Sequence, residues 1–193
     1  MKISIGTARK LALQGQGLHE PWLLPRGTGG VARAIERLGY VQIDTIAVIE
    51  RAHHHTLWVR HHEYTPGMLH ELQAIKRQVF EYWAHAACYL PMSDYRYYIP
   101  RMQFVSERQT NWFYTDEGRS ITDHVLGRIR DEGPLGAVNF KNDGPKRGSW
   151  WDWKPAKQAL EMLFDMGEQM VTERRYRRKP TQHHRRKMKR PGS

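Results

Sequence analysis

The chain has little cysteine, no long apolar run and, over most of its length, almost no net charge. Cys88 is the single cysteine among 193 residues, so an internal disulfide is excluded. No stretch approaches the roughly 18 apolar residues of a membrane-spanning helix. The opening Met1-Lys2-Ile3-Ser4 leads into a helical pattern rather than the continuous apolar core of a secretory signal. These absences predict a soluble, cytoplasmic protein with no membrane partner. Length and apolar content suffice for one large domain or two small ones. The formal net charge is +11, but ten of the 31 basic residues lie between Arg174 and Arg190 with no acid among them. That leaves 21 basic residues against 20 acidic ones, so the body is nearly neutral. Charge therefore argues for nucleic-acid binding mainly through the C-terminal stretch.

What is present is most informative at Gln42-Ile43-Asp44, inside Leu38-Gly39-Tyr40-Val41-Gln42-Ile43-Asp44-Thr45-Ile46. The β-branched and aromatic flanks read as a strand. Residues two apart on a strand share a face, so Gln42 and Asp44 project together while Ile43 enters the core. An amide beside a carboxylate can hold one water: the amide orients it, and the carboxylate takes its proton or opposes developing positive charge. The competing reading is a solvated strand face with Asp44 as a helix cap.

Local patterns predict a mainly α protein with small β elements. Ser4 caps a helix over about Ile5 to Gln16 with Ala8, Leu11 and Ala12 on one face. A second helix, about Thr28 to Leu38, carries Val31, Ile35 and Leu38 at helical spacing and ends at Gly39. Thr65-Pro66 starts another, with Met68, Leu69, Leu72 and Ile75 as its inward stripe. Val79 to Trp83 reads as a strand and Ser93 to Met102 as a helix. From Ser120, Ile121, Val125, Leu126 and Ile129 have helical spacing up to Gly133-Pro134, and Leu135 to Phe140 is a short helix. Pro155 opens a last helix with Ala159, Leu160, Leu163 and Phe164 inward, followed by a strand over Gln169 to Arg175.

Five histidines fall between His53 and His62. Adjacent residues diverge by ~100° on a helix and face opposite sides on a strand, so His53-His54-His55 is poor ligand geometry and no metal is expected. One or two of these imidazoles approach DNA phosphate or the sugar, and the rest are solvated. Arg51 and Arg60 read on their own as surface charge. Tyr82 and Trp83 are expected in the core. His85 either meets the face of Gln42 and Asp44 or is a hydrogen-bonded core histidine. Trp150, Trp151 and Trp153 precede the last helix, whose first turn offers Lys154 and Lys157 to phosphate.

Three blocks in order carry a resemblance. Val41-Gln42-Ile43-Asp44-Thr45-Ile46 runs on to Arg51-Ala52-His53-His54-His55-Thr56-Leu57-Trp58-Val59-Arg60. Phe80-Glu81-Tyr82-Trp83-Ala84-His85-Ala86-Ala87-Cys88-Tyr89-Leu90-Pro91 follows, and then Ser149-Trp150-Trp151-Asp152-Trp153-Lys154-Pro155. From about Ile3 to about Arg175 the chain resembles the YcaQ/AlkZ family of winged-helix DNA glycosylases, which excise N7-alkylated guanine and unhook interstrand crosslinks.

The resemblance implies tandem winged-helix units: a first over residues 1–105 bearing the Gln-Ile-Asp motif, an incomplete second over 106–176, and a disordered basic tail over 177–193. It also implies catalysis at Gln42 and Asp44, where members carry Gln-apolar-Gln or Gln-apolar-Asp. DNA contacts are implied at Arg51, His53, His54 and Arg60, beside those of Lys154 and Lys157. The implied enzyme is a monofunctional hydrolase, monomeric and without cofactor, acting on damaged or crosslinked duplex DNA. The return strand expected after Arg175 is replaced by Tyr176-Arg177-Arg178-Lys179-Pro180. Members are longer, so a C-terminally shortened member is the expectation, arising by a frame change, a truncated gene or a shortened paralogue. The alternatives are a non-catalytic winged-helix DNA-binding protein and an inactive copy of the glycosylase. An RNA-binding role for the tail leaves the Gln-Ile-Asp strand unexplained.

Overall fold

The structure is a computed structural model that describes residues 2–19, 24–44, 50–108, 114–140 and 155–174. Its elements in order are α1 (Ile5–Gly15), α2 (Gly27–Leu38), β1 (Val41–Gln42), α3 (Ala52–Trp58) and α4 (Pro66–His70). Next come β2 (Val79–Trp83), β3 (Ala87–Pro91), α5 (Tyr95–Glu107), α6 (Asp116–Glu132) and α7 (Pro155–Asp165). The fold is mainly α with one small antiparallel sheet, as the sequence implies. Among the described residues no helix is long and apolar enough to cross a membrane.

The sheet has the order β1-β3-β2. Val41 pairs with Tyr89 and Gln42 with Cys88, while Tyr89 and Cys88 pair on their other side with Glu81 and Tyr82. The sheet separates two cores. Val41, Ile43, Val79 and Tyr89 face one that α2, α3 and α4 fill with Val31, Ile35, Leu57 and Leu69. Phe80, Tyr82, Cys88 and Leu90 face the other, closed by Met102 of α5 with Tyr95, Tyr98 and Phe164. Both faces of β2 and β3 are thus covered, and burial raises the ionisation point of the Cys88 thiol. A third cluster of Val125, Phe140, Ala159, Leu163 and Met166 joins α6 to α7. The Tyr82 hydroxyl donates to the Asp165 carbonyl and Trp83 Nε1 to Asp165 Oδ1 at 2.6 Å, tying the end of α7 to β2. Tyr82 is buried as expected, but Trp83 is partly exposed at the hairpin end.

Caps and turns follow the sequence closely. The Ser4 hydroxyl accepts from the Thr7 N–H, and Gly39 ends α2 at φ 77°, where a side chain would be strained. Gly30 is fixed by contact: a Cβ there would lie 1.9 Å from the Pro25 carbonyl oxygen. α6 starts earlier than its apolar spacing suggests, because Thr115 caps it by accepting from the Gly118 N–H.

Three expectations are corrected, in the helix after α4, in residues 135–140 and in residues 169–174. The α1 helix itself lies on the surface: none of its residues is buried, and Leu11 is 55% exposed. Arginines hold α1 by its C-terminal carbonyls, Arg37 donating to Gln14 and Arg60 to Gln16. After α4 the helix widens into a π turn over Glu71–Ile75, where the Lys76 N–H reaches the Glu71 carbonyl at 2.8 Å. That extra residue rotates Gln73 inward and leaves Ile75 70% exposed. Leu135 to Phe140 contains only a 3₁₀ turn, Ala137–Phe140. Residues 169–174 form no strand; side-chain bonds fasten this segment to the π turn through Gln73 and to β2 through Glu81 instead. Trp150, Trp151, Trp153, Lys154 and the tail from Arg175 lie outside the described residues.

Candidate active site

The alternation over 41–44 is present: Val41 and Ile43 are buried, Gln42 is exposed and Asp44 half-buried. Pairing with β3 sets this register, and the Ile43 N–H extends it by donating to the Ala87 carbonyl at 2.8 Å. Gln42 thus stands at the free edge of the sheet, on the face opposite the first core. Its Oε1 lies 2.9 Å from Nε2 of His85, in the turn between β2 and β3. His85 is exposed and bonded to Gln42, which rules out the core alternative for it.

Asp44 is held through its backbone by two other candidates. Its N–H donates to His53 Nδ1 at 3.3 Å, and its carbonyl accepts from Arg51 Nη1 at 3.1 Å. Arg51 also caps α3, with its N–H on Glu50 Oε1. His53 is 1% exposed and packs on Tyr89 and His54. Burial, with smaller contributions from His54 and Arg51, pushes its ionisation down to about 4, so its imidazole is neutral at ordinary pH. A neutral ring whose Nδ1 accepts must carry its hydrogen on Nε2.

His54 and Arg60 are turned inward. His54 Nδ1 lies 2.6 Å from the Tyr64 hydroxyl, and burial lowers its ionisation too. Arg60 is 8% exposed and donates to the carbonyls of Gln16 and Thr56, each at 2.8 Å. Of the remaining candidates, His55 is exposed, and Lys157 is exposed on α7, 3.5 Å from Glu161. Among the described residues no group of three or more His, Cys, Asp or Glu is arranged to hold a metal ion.

One polar cluster escapes a reading by charge and spacing. Glu81, in the middle of β2, is buried on the first-core face. Gln73 Nε2 donates to its Oε1 at 2.8 Å, and Arg174 donates to its Oε2 through Nε at 2.7 Å and Nη2 at 2.6 Å. Gln73 also donates to the Val171 carbonyl at 3.1 Å. Arg174, first of the tail cations by sequence, is thereby fixed beside the sheet, close enough to His53 to disfavour its charged form. A signal existed: with Phe80 and Tyr82 committed to one side and Val79 to the other, Glu81 has no solvent face.

The family model described as DNA glycosylase AlkZ-like matches residues 35–189, beginning within α2 and continuing beyond Arg175, where the resemblance by motif stops. No solved structure matches the chain. A match that takes in the Gln42–Asp44 edge, the His85 turn and the segment anchored at Arg174 covers most of the sequence, and it makes this chain a member of the AlkZ-like DNA glycosylase family of DNA-repair enzymes.

Proposed function

We propose that this chain is a monofunctional glycosylase that hydrolyses the N-glycosidic bond of N7-alkylguanine in duplex DNA, crosslinked bases included. Alkylation at N7 gives the base a positive charge and makes it a good leaving group, so no strong general acid is required. As the C1′–N9 bond breaks, its electron pair leaves with the base and positive charge grows on the sugar. The Asp44 carboxylate opposes that charge and takes a proton from the attacking water, which Gln42 holds. The oxygen–C1′ bond forms, the base departs neutral, and an abasic site remains. The observation that carries this reading is the alternation at 41–44, where buried Val41 and Ile43 leave Gln42 and Asp44 as the polar pair of a sheet edge.

The other candidates divide by burial. His53 and Arg51 serve Asp44 by gripping its backbone, and His54 and Arg60 serve the frame behind it. Phosphate contacts fall to Lys157, to Lys154 and to the basic tail. The two-unit reading has support in the separate cluster that α6 and α7 form.

The test is single-turnover excision from duplex carrying N7-methylguanine or a nitrogen-mustard crosslink. Asp44→Asn keeps size and hydrogen bonding but removes the charge, and lowers the rate by ~10²-fold or more with binding retained. An unchanged rate would refute the mechanism. No excision by the parent chain, with tighter DNA binding by Asp44→Asn, would mark a binding protein instead.

A further inference from the structure

We infer that His85 is a positioning residue for this hydrolysis: it fixes the side-chain amide of Gln42 with its N–H end presented to the attacking water. The inference rests on the function proposed above and adds the polarity of the water. A carboxamide oxygen can only accept, so at 2.9 Å the His85 Nε2 facing Gln42 Oε1 must carry the hydrogen. With its oxygen turned to His85 the Gln42 amide is held in one orientation, so the end left to face a second partner is its NH₂ end. A water bound there accepts from Gln42 and donates to Asp44, which keeps one lone pair for C1′. Without His85 the amide is free to flip, and a flipped amide would compete with Asp44 for the water's protons.

Two features make His85 a fixed point rather than a chance surface contact. Its ring meets Tyr40 edge-on, with centroids 5.1 Å apart and planes at 60°. Tyr40 lies two residues before Gln42 and, like it, is exposed, so Tyr40, Gln42 and Asp44 follow one alternation and His85 reaches over to the first two. The backbone beneath is held as well, since the Ala84 N–H donates to the Ala86 carbonyl at 2.9 Å across the turn that carries His85.

Two measurements on the full chain test this. In single-turnover excision, His85→Phe keeps a ring against Tyr40 but loses the donor, and lowers the rate about 10- to 100-fold with DNA affinity unchanged. His85→Gln restores a donor and recovers part of the rate. In a Gln42→Ala background His85→Phe costs nothing further, whereas a merely structural role would give additive losses. Independently of turnover, ¹⁵N NMR of the labelled imidazoles finds a protonated His85 Nε2 in the parent and a redistributed tautomer in Gln42→Leu. A bare Nε2 in the parent, or additive losses, would overturn the inference. A protonated Nε2 in a chain that excises nothing would overturn the glycosylase reading and leave the contact standing.

Discussion

Removing Arg174 is expected to destabilise the fold far more than removing an ordinary surface arginine. Its guanidinium makes two contacts to Glu81 Oε2, the Glu81 side chain is 1% exposed, and among the described residues the Gln73 amide sits on its other oxygen. Arg174→Ala strands that carboxylate. Breaking a buried pair in this way costs about 3–5 kcal/mol, against about 0–1 for an exposed ion pair. The Arg174 side chain is 35% exposed, so water can partly replace it, which places the expectation below that range, at about 2–3 kcal/mol. Urea denaturation of the full chain reads this as a lower midpoint at constant slope. The sign of the coupling is the sharper measurement. Adding Glu81→Gln to Arg174→Ala removes the uncompensated charge, so the double variant is more stable than Arg174→Ala alone. A loss below about 0.5 kcal/mol, the scatter of ordinary surface substitutions, or a double variant weaker than the single one, would refute the argument.

Two further outcomes are expected. His53 ionises at about 4 in the fold against 6.5 ordinarily, so the unfolded chain binds the extra proton; stability is complete above 6.5 and falls as pH drops towards 4. The difference is about 3 kcal/mol in full, with about 2 lost by pH 5; urea midpoints at pH 7 and pH 5 test it, and a His53→Asn variant with undiminished pH dependence would contradict it. Deleting residues 175–193 removes most of the clustered cations while sparing the Arg174–Glu81 pair. It should flatten the slope of log affinity against log salt by ~0.9 for each phosphate that the tail had neutralised, and an unchanged slope would assign DNA binding to the body.

What was legible in the sequence was what depends on neighbours in the chain. The period of two at Val41 to Asp44 survives because β-branched residues leave few other conformations, and Ser4, Gly39 and Gly133 mark helix ends through local backbone chemistry. The stripe after Thr65 failed at one point. The π turn adds a residue to the helical period, so Leu72 stays inside while Gln73 replaces Ile75 as the next buried position. The strand expected over Gln169 to Arg175 failed for a different reason. Apolar alternation cannot say whether a partner strand exists, and here the segment is held by Gln73 and Glu81, 98 and 93 residues away.

The arginines carry the largest lesson for function, because a basic residue in a DNA-repair family invites a phosphate reading. Guanidinium is a planar fork of donors that fits backbone carbonyls and carboxylates as well as it fits phosphate. Sequence gives the charge but not which acceptor lies within reach, since that acceptor is usually distant: Gln16 for Arg60 is 44 residues away, and Gln14 for Arg37 is 23. Around the first core, Arg37, Arg51, Arg60 and Arg174 each donate to the protein itself. Their work is to fasten α1, the Asp44 backbone and the 170–174 segment to the sheet that bears Gln42. Under the mechanism proposed above, a site that opposes positive charge on a sugar gains from this division of labour: arginines committed to structure, Arg51 on the Asp44 carbonyl among them, hold the backbone of the carboxylate in place and are not needed for phosphate.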